Sequence, residues 1–249
     1  MRHSRASKLH HFILDILFPA FCISCDKHGE WLCQKCLNEI QLKQNQSCPI
    51  CKKVSTPNGE VCFDCKKEYS IDAVLVASLY RNKNKTKTFL AQAIHVYKYN
   101  FVKDLGKSLG ELMKKIYLQF SLPLPDLIIP VPLHDRRLRW RGFNQSLLIA
   151  NYLSQELITN LEIETSDKII LRSKHTRPQM TIRNRRERIQ NVANVFVFNE
   201  TEENINLIKN KTILLVDDIT TTGSTLFECA KVLKQNGAKK VYGIVLARE

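Results

Sequence analysis

Residues 211–225 read KTILLVDDITTTGST. Ile213, Leu214, Leu215 and Val216 are four consecutive aliphatics, too apolar for a strand with one wet face. Residues 211–218 are therefore expected to form a strand in the middle of a sheet covered on both sides. In such sheets ligands bind beyond the carboxyl ends of the strands. Asp217 and Asp218 stand at that end, where adjacent carboxylates suit a ribose diol or a metal-bound phosphate. Thr220, Thr221, Thr222, Gly223, Ser224 and Thr225 follow, at the start of a helix expected to run through Lys234. They bring hydroxyls and closely spaced backbone N–H groups to a helix N-terminus, whose open amides and dipole attract an anion. Helix capping by Asp218 or Thr222 accounts for one such group. It does not call for four aliphatics, two acids, three threonines, a glycine and Ser-Thr within thirteen residues.

Outward from this loop, VYGIVLA (241–247) reads as a closing strand and completes a βαβ unit. Toward the N-terminus, strands are expected at 72–80 (DAVLVASLY), 125–132 (PDLIIPVP), 168–172 (KIILR) and 194–198 (NVFVF). Apolar residues recur at helical spacing in 103–120 and 143–157. Strands alternating with helices imply an α/β fold, a mostly parallel sheet flanked by helices.

Residues 20–68 are different. They contain few long apolar runs but four C-x-x-C pairs: Cys22 with Cys25, Cys33 with Cys36, Cys48 with Cys51, and Cys62 with Cys65. A segment with so little apolar material needs another source of stability. Each C-x-x-C turn offers two sulfurs to one metal, and two turns close a tetrahedron, so eight thiolates match two structural zinc ions. The gaps between pairs are seven, eleven and ten residues, and the simplest partition joins the first two pairs and the last two, with a crossed pairing as the alternative. Thiols used this way point to a reducing compartment. Cys229 stands alone and is expected in the core.

Leu9, Phe12, Ile13, Ile16 and Leu17 would line one face of a short helix. Asp15 interrupts this apolar run, which is about half the roughly 20 residues of a membrane span, and Cys22 stands where a signal cleavage site would need small residues. The expected organisation is a short amphipathic helix in 1–19 that packs on the protein, a cysteine-rich zinc domain in 20–68 and an α/β domain in 69–249.

The chain has 38 Lys and Arg against 24 Asp and Glu, a net charge of +14. Its field favours phosphate-rich partners without choosing among nucleotide, nucleic acid and anionic lipid. Much of the charge in the α/β domain lies in 131–146 and 171–192, each following an expected strand, where arginines are placed to clamp phosphates. Trp140 and Phe143 are available to stack bases, although packing beneath the loop is the plainer expectation.

The stretch ILLVDDITTTGST (213–225) resembles the phosphoribosyl pyrophosphate signature of type I phosphoribosyltransferases. The resemblance implies that Asp217 and Asp218 contact the ribose 2′ and 3′ hydroxyls, directly or near Mg²⁺, and that Thr220 through Thr225 bind the 5′-phosphate. Purine-salvage members carry a third acid within this loop as the proton acceptor. Thr221 occupies that place here and is no base at neutral pH, which argues against ordinary hypoxanthine or guanine salvage.

The N-terminal cysteines, VPL (131–133), RGFNQS (141–146), Thr176 to Gln179 and Arg188 to Val192 make the chain similar to the ComF (ComFC/GntX) competence-protein family over nearly its full length. That resemblance implies a double zinc ribbon on a phosphoribosyltransferase-type domain, a cytoplasmic location and a link to DNA uptake in natural transformation. It also implies that Tyr97, Lys98 and Tyr99 match the family's K-Y element, with Lys98 near the pyrophosphate, and that Arg141, Asn144 and Gln145 line the site. The roles of Arg183, Arg185 and Arg186 stay open.

Two functions fit these readings. One is a transferase that moves a phosphoribosyl group from its pyrophosphate donor, with Mg²⁺, to an unidentified acceptor. The other is a binding protein that keeps the loop as a ligand sensor or scaffold and holds single-stranded DNA or competence proteins. The sequence leaves the acceptor and the oligomeric state open.

Overall fold

The computed structural model describes residues 19–82, 84, 86–174, 176, 184, 187 and 191–249. The expected helix in 1–19, and Arg183, Arg185, Arg186 and Arg188, lie outside the described residues, as do most of 176–179 and 188–192. The chain forms two compact units, the first ending at Gln41 and the second beginning at Leu42.

In the first unit, helix α1 (Gln34–Glu39) follows the second cysteine pair. Leu32 and Leu37 are buried with Cys22, Cys33 and Cys36. The turn around the first pair closes through Asp26 N–H donating to the Cys22 carbonyl at 2.9 Å, with Asp26 in the left-handed region.

The second unit begins with the other two cysteine pairs and helix α2 (Phe63–Lys66), then builds a five-stranded parallel sheet in the order β1-β7-β6-β2-β3. Its strands are β1 (Ala73–Leu79), β2 (Leu127–Pro130), β3 (Glu164–Thr165), β6 (Thr212–Thr220) and β7 (Lys240–Arg248). Ile213, Leu214, Leu215 and Val216 are fully buried in β6, which pairs with β2 on one side and β7 on the other. That position accounts for the unbroken aliphatic run: a central strand covered on both faces has no wet side to carry polar residues.

The helices of this unit are α3 (Phe89–Tyr99), α4 (Leu105–Gln119), α5 (Asp135–Arg141), α6 (Gln145–Glu156), α7 (Glu202–Ile208) and α8 (Ser224–Gln235). α4 packs closely on α6, where an added Cβ at Gly110 would lie 2.5 Å from the Tyr152 ring. β6, α8 and β7 form the βαβ unit expected from the sequence, although β6 extends two residues beyond Asp218 and keeps pairing with β7 as far as Thr220.

Two features depart from the sequence reading. Residues 168–172 and 194–198 do contain strands, β4 (Ile170–Arg172) and β5 (Phe196–Phe198), but these pair antiparallel in a separate ribbon. The stretch after β2, expected as an arginine-bearing loop, is the short helix α5, opened by the His134 side chain accepting from Arg136 N–H and ended by left-handed Gly142.

The second cysteine cluster lies in the second compact unit, which begins at Leu42, whereas the sequence reading grouped it with the first cluster in 20–68. The reason lies at β1, an edge strand of the sheet. An open edge exposes unpaired backbone groups, and the segment carrying Cys48 to Cys65 covers it. Lys43 N–H donates to the Ala77 carbonyl and Val74 N–H to the Gly59 carbonyl, at 2.8 and 2.9 Å. The buried amide of Gln46 takes the place of a backbone unit, donating to the Val76 carbonyl at 3.1 Å and accepting from Val76 N–H at 3.2 Å. Cys48, Ile50 and Val61 share one apolar core with Ile71, Val74, Leu215, Leu226 and Val245.

Gly59 is required at this seam. Its φ is +69°, and an added Cβ would lie 2.4 Å from the Val74 carbonyl oxygen. Gly142 has a similar φ of +75° but open space around it. Gly59→Ala is therefore expected to destabilise by about 2–4 kcal/mol, against about 1 kcal/mol for Gly142→Ala. Thermal unfolding of the two variants checks this, and equal losses would contradict the seam.

Candidate functional site

The cysteine pairs group as two clusters, Cys22, Cys25, Cys33 and Cys36, and Cys48, Cys51, Cys62 and Cys65, with all four sulfurs of each within 4.8 Å of one another. Two sulfurs about 2.3 Å from one tetrahedral zinc stand about 3.8 Å apart. The Cys51 and Cys62 sulfurs are 3.8 Å apart, and those of Cys25 and Cys33 3.6 Å. Backbone N–H groups of Lys53 and Val54 hold the Cys51 thiol down to about 6. Burial and the neighbouring thiols push Cys65 up to about 12. Four sulfurs so close cannot all shed protons unless a cation shares their charge. Both clusters fit structural zinc, four sulfurs closing each sphere with no position left for catalysis.

The second site lies at the carboxyl end of β6, where a cavity of about 350 Å³ is lined by residues including Lys98, Arg137, Arg141, Arg172, Asp217 and Asp218. Cavities holding small ligands are of this order, roughly 300–1,000 Å³. Four cations thus face two acids. Lys98, near the end of α3, reaches the Asp218 carboxylate at 2.8 Å, with only 12% and 4% of the two side chains exposed. Asp217 accepts from the Ser146 hydroxyl at 3.2 Å and from Asp218 N–H at 2.9 Å. Burial, and then the charge of Asp218 beside it, push Asp217 up to about 7 against the pull of Lys98.

After β6 the chain turns through Thr221, Thr222 and left-handed Gly223 (φ +90°) into α8. The positive φ explains glycine at 223. Thr221 and Thr225 line the cavity. Thr220 at the end of β6, Thr222 in the turn and Ser224 at the start of α8 are buried, with the Thr222 and Ser224 hydroxyls 2.8 Å apart. The turn opens a helix of twelve residues, long enough for its first amides to favour an anion.

Arg141 ends α5, buried, and donates through Nη1 to the Gln145 side chain. Both line the cavity. Asn144 does not line it: its side chain caps α6 by accepting from Ser146 N–H at 3.0 Å and donates to the Val131 carbonyl at 3.2 Å. It borders a neighbouring cavity between α5, α6 and β4. Tyr97 packs beneath the site with its hydroxyl donating to the Gln145 carbonyl at 2.8 Å, and burial raises its pKa. Cys229 is buried in α8, as expected.

Among the described residues that line this cavity, three buried polar atoms have no hydrogen-bond partner, Asp218 Oδ2, Arg141 Nε and Arg172 Nε. Buried polar groups are nearly always satisfied, so such atoms mark the place of a missing partner. Sequence reasoning missed Ser146, which stood unremarked inside RGFNQS, and did not single out Arg137 or Arg172. Tyr99, Phe101 and Trp140 form an exposed group of rings beside the cavity, with Trp140 centroids 6.1 Å from Tyr99 and 5.2 Å from Phe101. Trp140 is thus 57% exposed rather than packed under the loop, while Phe143 is buried against Tyr97. Among the described residues, no helix is long and apolar enough to cross a membrane.

Comparison with known proteins gives two domain matches, a double zinc ribbon domain over residues 13–69 and a phosphoribosyl transferase domain over residues 143–249. The chain is 31% identical over 238 residues to competence protein F of Haemophilus influenzae, covering 91% of this chain and 96% of that protein. It is 31% identical over 242 residues to the DNA utilization protein YhgH of Salmonella typhi, covering 92% and 97%. It is 25% identical over 239 residues to competence protein ComFC of Bacillus subtilis, covering 89% and 86%.

The pair of acids has a measurable cost. A carboxyl whose folded pKa is raised from 3.8 to about 7 holds its proton more tightly when folded. It therefore removes stability as pH climbs through that window. Asp217→Asn is expected to raise the melting temperature of the ligand-free protein at pH 8 by about 2–6 °C, with the gain shrinking toward pH 4. Calorimetric melting across this range checks the sign, and a lower melting temperature at pH 8 would contradict it.

Proposed function

Because this chain belongs to the ComF family, we propose that it binds phosphoribosyl pyrophosphate with Mg²⁺ at the β6–α8 loop and transfers the phosphoribosyl group during DNA uptake. The observation that carries this reading is the paired acids in a cavity whose other charged lining residues are all cations, with Asp218 Oδ2, Arg141 Nε and Arg172 Nε unsatisfied. A ligand that is both a diol and a polyanion answers both needs. The phosphoribosyl transferase match over residues 143–249 and the names of the competence relatives support the same reading.

In this reading Asp217 and Asp218 hold the ribose 2′ and 3′ hydroxyls, and Thr220 through Thr225 receive the 5′-phosphate. Lys98, Arg137, Arg141 and Arg172 face the negative charge that grows on pyrophosphate as its bond to the sugar breaks. Asp217 and Asp218 would hold Mg²⁺ with the ligand, and the ion would supply Lewis-acid stabilisation of that leaving group. Ser146 and Gln145 fix the orientation of Asp217 and Arg141. The protein's contribution is positioning and fixed charge. Thr221 lines the cavity and supplies no base at neutral pH. The acceptor must therefore arrive nucleophilic or be deprotonated from elsewhere.

A second reading, a ligand sensor that holds single-stranded DNA, is favoured by the exposed rings of Tyr99, Phe101 and Trp140, which offer faces on which bases stack. The zinc ribbon and a net charge of +14 suit the same partner.

Isothermal titration of the zinc-loaded protein with phosphoribosyl pyrophosphate and Mg²⁺ tests the proposal. Saturable binding is expected, weakened at least 100-fold in the Asp217→Ala, Asp218→Ala double variant. No binding by the folded, zinc-loaded wild type would overturn it. Pyrophosphate release in the presence of single-stranded DNA or nucleobase acceptors then separates transferase from sensor, because a sensor leaves its donor intact.

A further inference from the structure

Lys52 follows Cys51, the second cysteine of its C-x-x-C turn, and has a left-handed backbone with φ +62°. Its N–H donates to the Cys48 carbonyl at 3.0 Å, closing the turn that presents the Cys48 and Cys51 sulfurs. Its ammonium crosses 169 positions of sequence to donate to the Thr221 carbonyl at 3.1 Å, inside the β6–α8 loop. A positive φ is costly for a side-chain-bearing residue. Here the turn holds Lys52 in that conformation while its side chain reaches the loop.

The contact is not isolated. Cys48 and Ile50 share a core with Leu226, Cys229 and Ala230 of α8, and Tyr69 meets Phe227 edge-on at 5.2 Å. The cluster and the first turns of α8 are thus parts of one packed body within the same compact unit. Holding the Thr221 carbonyl also fixes the next N–H, since the peptide between Thr221 and Thr222 is a rigid plane with the two groups on opposite sides. A charged donor on that carbonyl therefore sets the direction of a loop amide.

We propose that Lys52 is a positioning residue for the β6–α8 loop, so that metal loading of the Cys48, Cys51, Cys62 and Cys65 cluster sets how well the loop is ordered for its anion. The affinity part rests on the reading of the loop as a phosphoribosyl pyrophosphate site; the ordering part does not. The zinc ion supplies no chemistry to the ligand. It keeps the turn closed, and the turn keeps Lys52 on the loop.

The test compares full-length, zinc-loaded wild type with Lys52→Met, Lys52→Arg and Lys53→Met, the last a neighbouring lysine that is exposed, as Lys52 is. Zinc content, amide hydrogen exchange of residues 220–226 without ligand, and titration with phosphoribosyl pyrophosphate and Mg²⁺ are read for each. In Lys52→Met, exchange is expected to rise several-fold and affinity to fall about 5- to 20-fold, the low end for a charged hydrogen bond because Lys52 is exposed, with both zinc ions retained. Lys52→Arg should recover much of both effects and Lys53→Met should show neither.

Cys62→Ser with Cys65→Ser should speed exchange in the same segment without adding to the effect of Lys52→Met. Cys25→Ser with Cys36→Ser, in the other compact unit, should leave it unchanged. Wild-type affinity and wild-type exchange in Lys52→Met would overturn the inference while leaving the ligand site standing. If wild type does not bind the ligand, the functional reading fails and the exchange data decide the inference alone. Wild-type exchange after loss of the second zinc would overturn the link to metal loading, even if the double serine variant proves too unstable for titration.

Discussion

The ion pair between Lys98 and Asp218, 2.8 Å long and almost wholly withdrawn from water, is the interaction on which the site depends. Two adjacent carboxylates at the end of a buried strand repel each other and lose hydration, and Asp217 shows the consequence in its raised pKa. Lys98 offsets part of that repulsion, but only because α3 brings it over the end of β6. Removing one member of such a buried pair typically costs about 3–5 kcal/mol. The remaining unmet groups of the site, Asp218 Oδ2, Arg141 Nε and Arg172 Nε, are the kind of local deficit that proteins retain at sites completed by a ligand.

The second constraint is the open edge of the parallel sheet. β1 would expose a row of backbone groups, and the segment from Lys43 to Val61 covers them with main-chain bonds and the Gln46 amide. The second cysteine cluster is therefore a structural part of the α/β body, joined to the core through Cys48, Ile50 and Val61. The double zinc ribbon match spans both clusters. Packing nevertheless assigns the two to different compact units. A sequence-level module and a packing unit need not coincide when half of the module seals a neighbour's edge.

The β6–α8 unit was readable in the sequence because its signals are local: four aliphatics for a central strand, acids at its end and small hydroxylated residues at a turn. The grouping of the cysteines was readable for the same reason. α3 was not read as a helix, since its buried residues include Leu90, Ala91, Ala93, Ile94 and Tyr97, a broad apolar surface without a clean stripe. α5, DRRLRWR, has almost no apolar face, and β3 is two polar residues at an edge. Strand character was visible at 168–172 and 194–198, but local composition does not record which strand a strand will pair with. Within the site, Lys98, Arg141 and Gln145 came from family resemblance, and the fold brings them to the acids. Asn144, grouped with them by the same resemblance, caps a helix instead. Lys52 carried no local sign, because its partner is 169 positions away.

On the proposed function, the end of β6 and the start of α8 form one site for a phosphorylated ribose. Crystals of the zinc-loaded protein grown with Mg²⁺ and phosphoribosyl pyrophosphate test it most directly. The expected density has the 5′-phosphate against Thr220–Thr225, the ribose diol against Asp217 and Asp218, and the pyrophosphate toward Lys98 and the arginines. Ligand density elsewhere on the protein, with this cavity filled only by water, would contradict it.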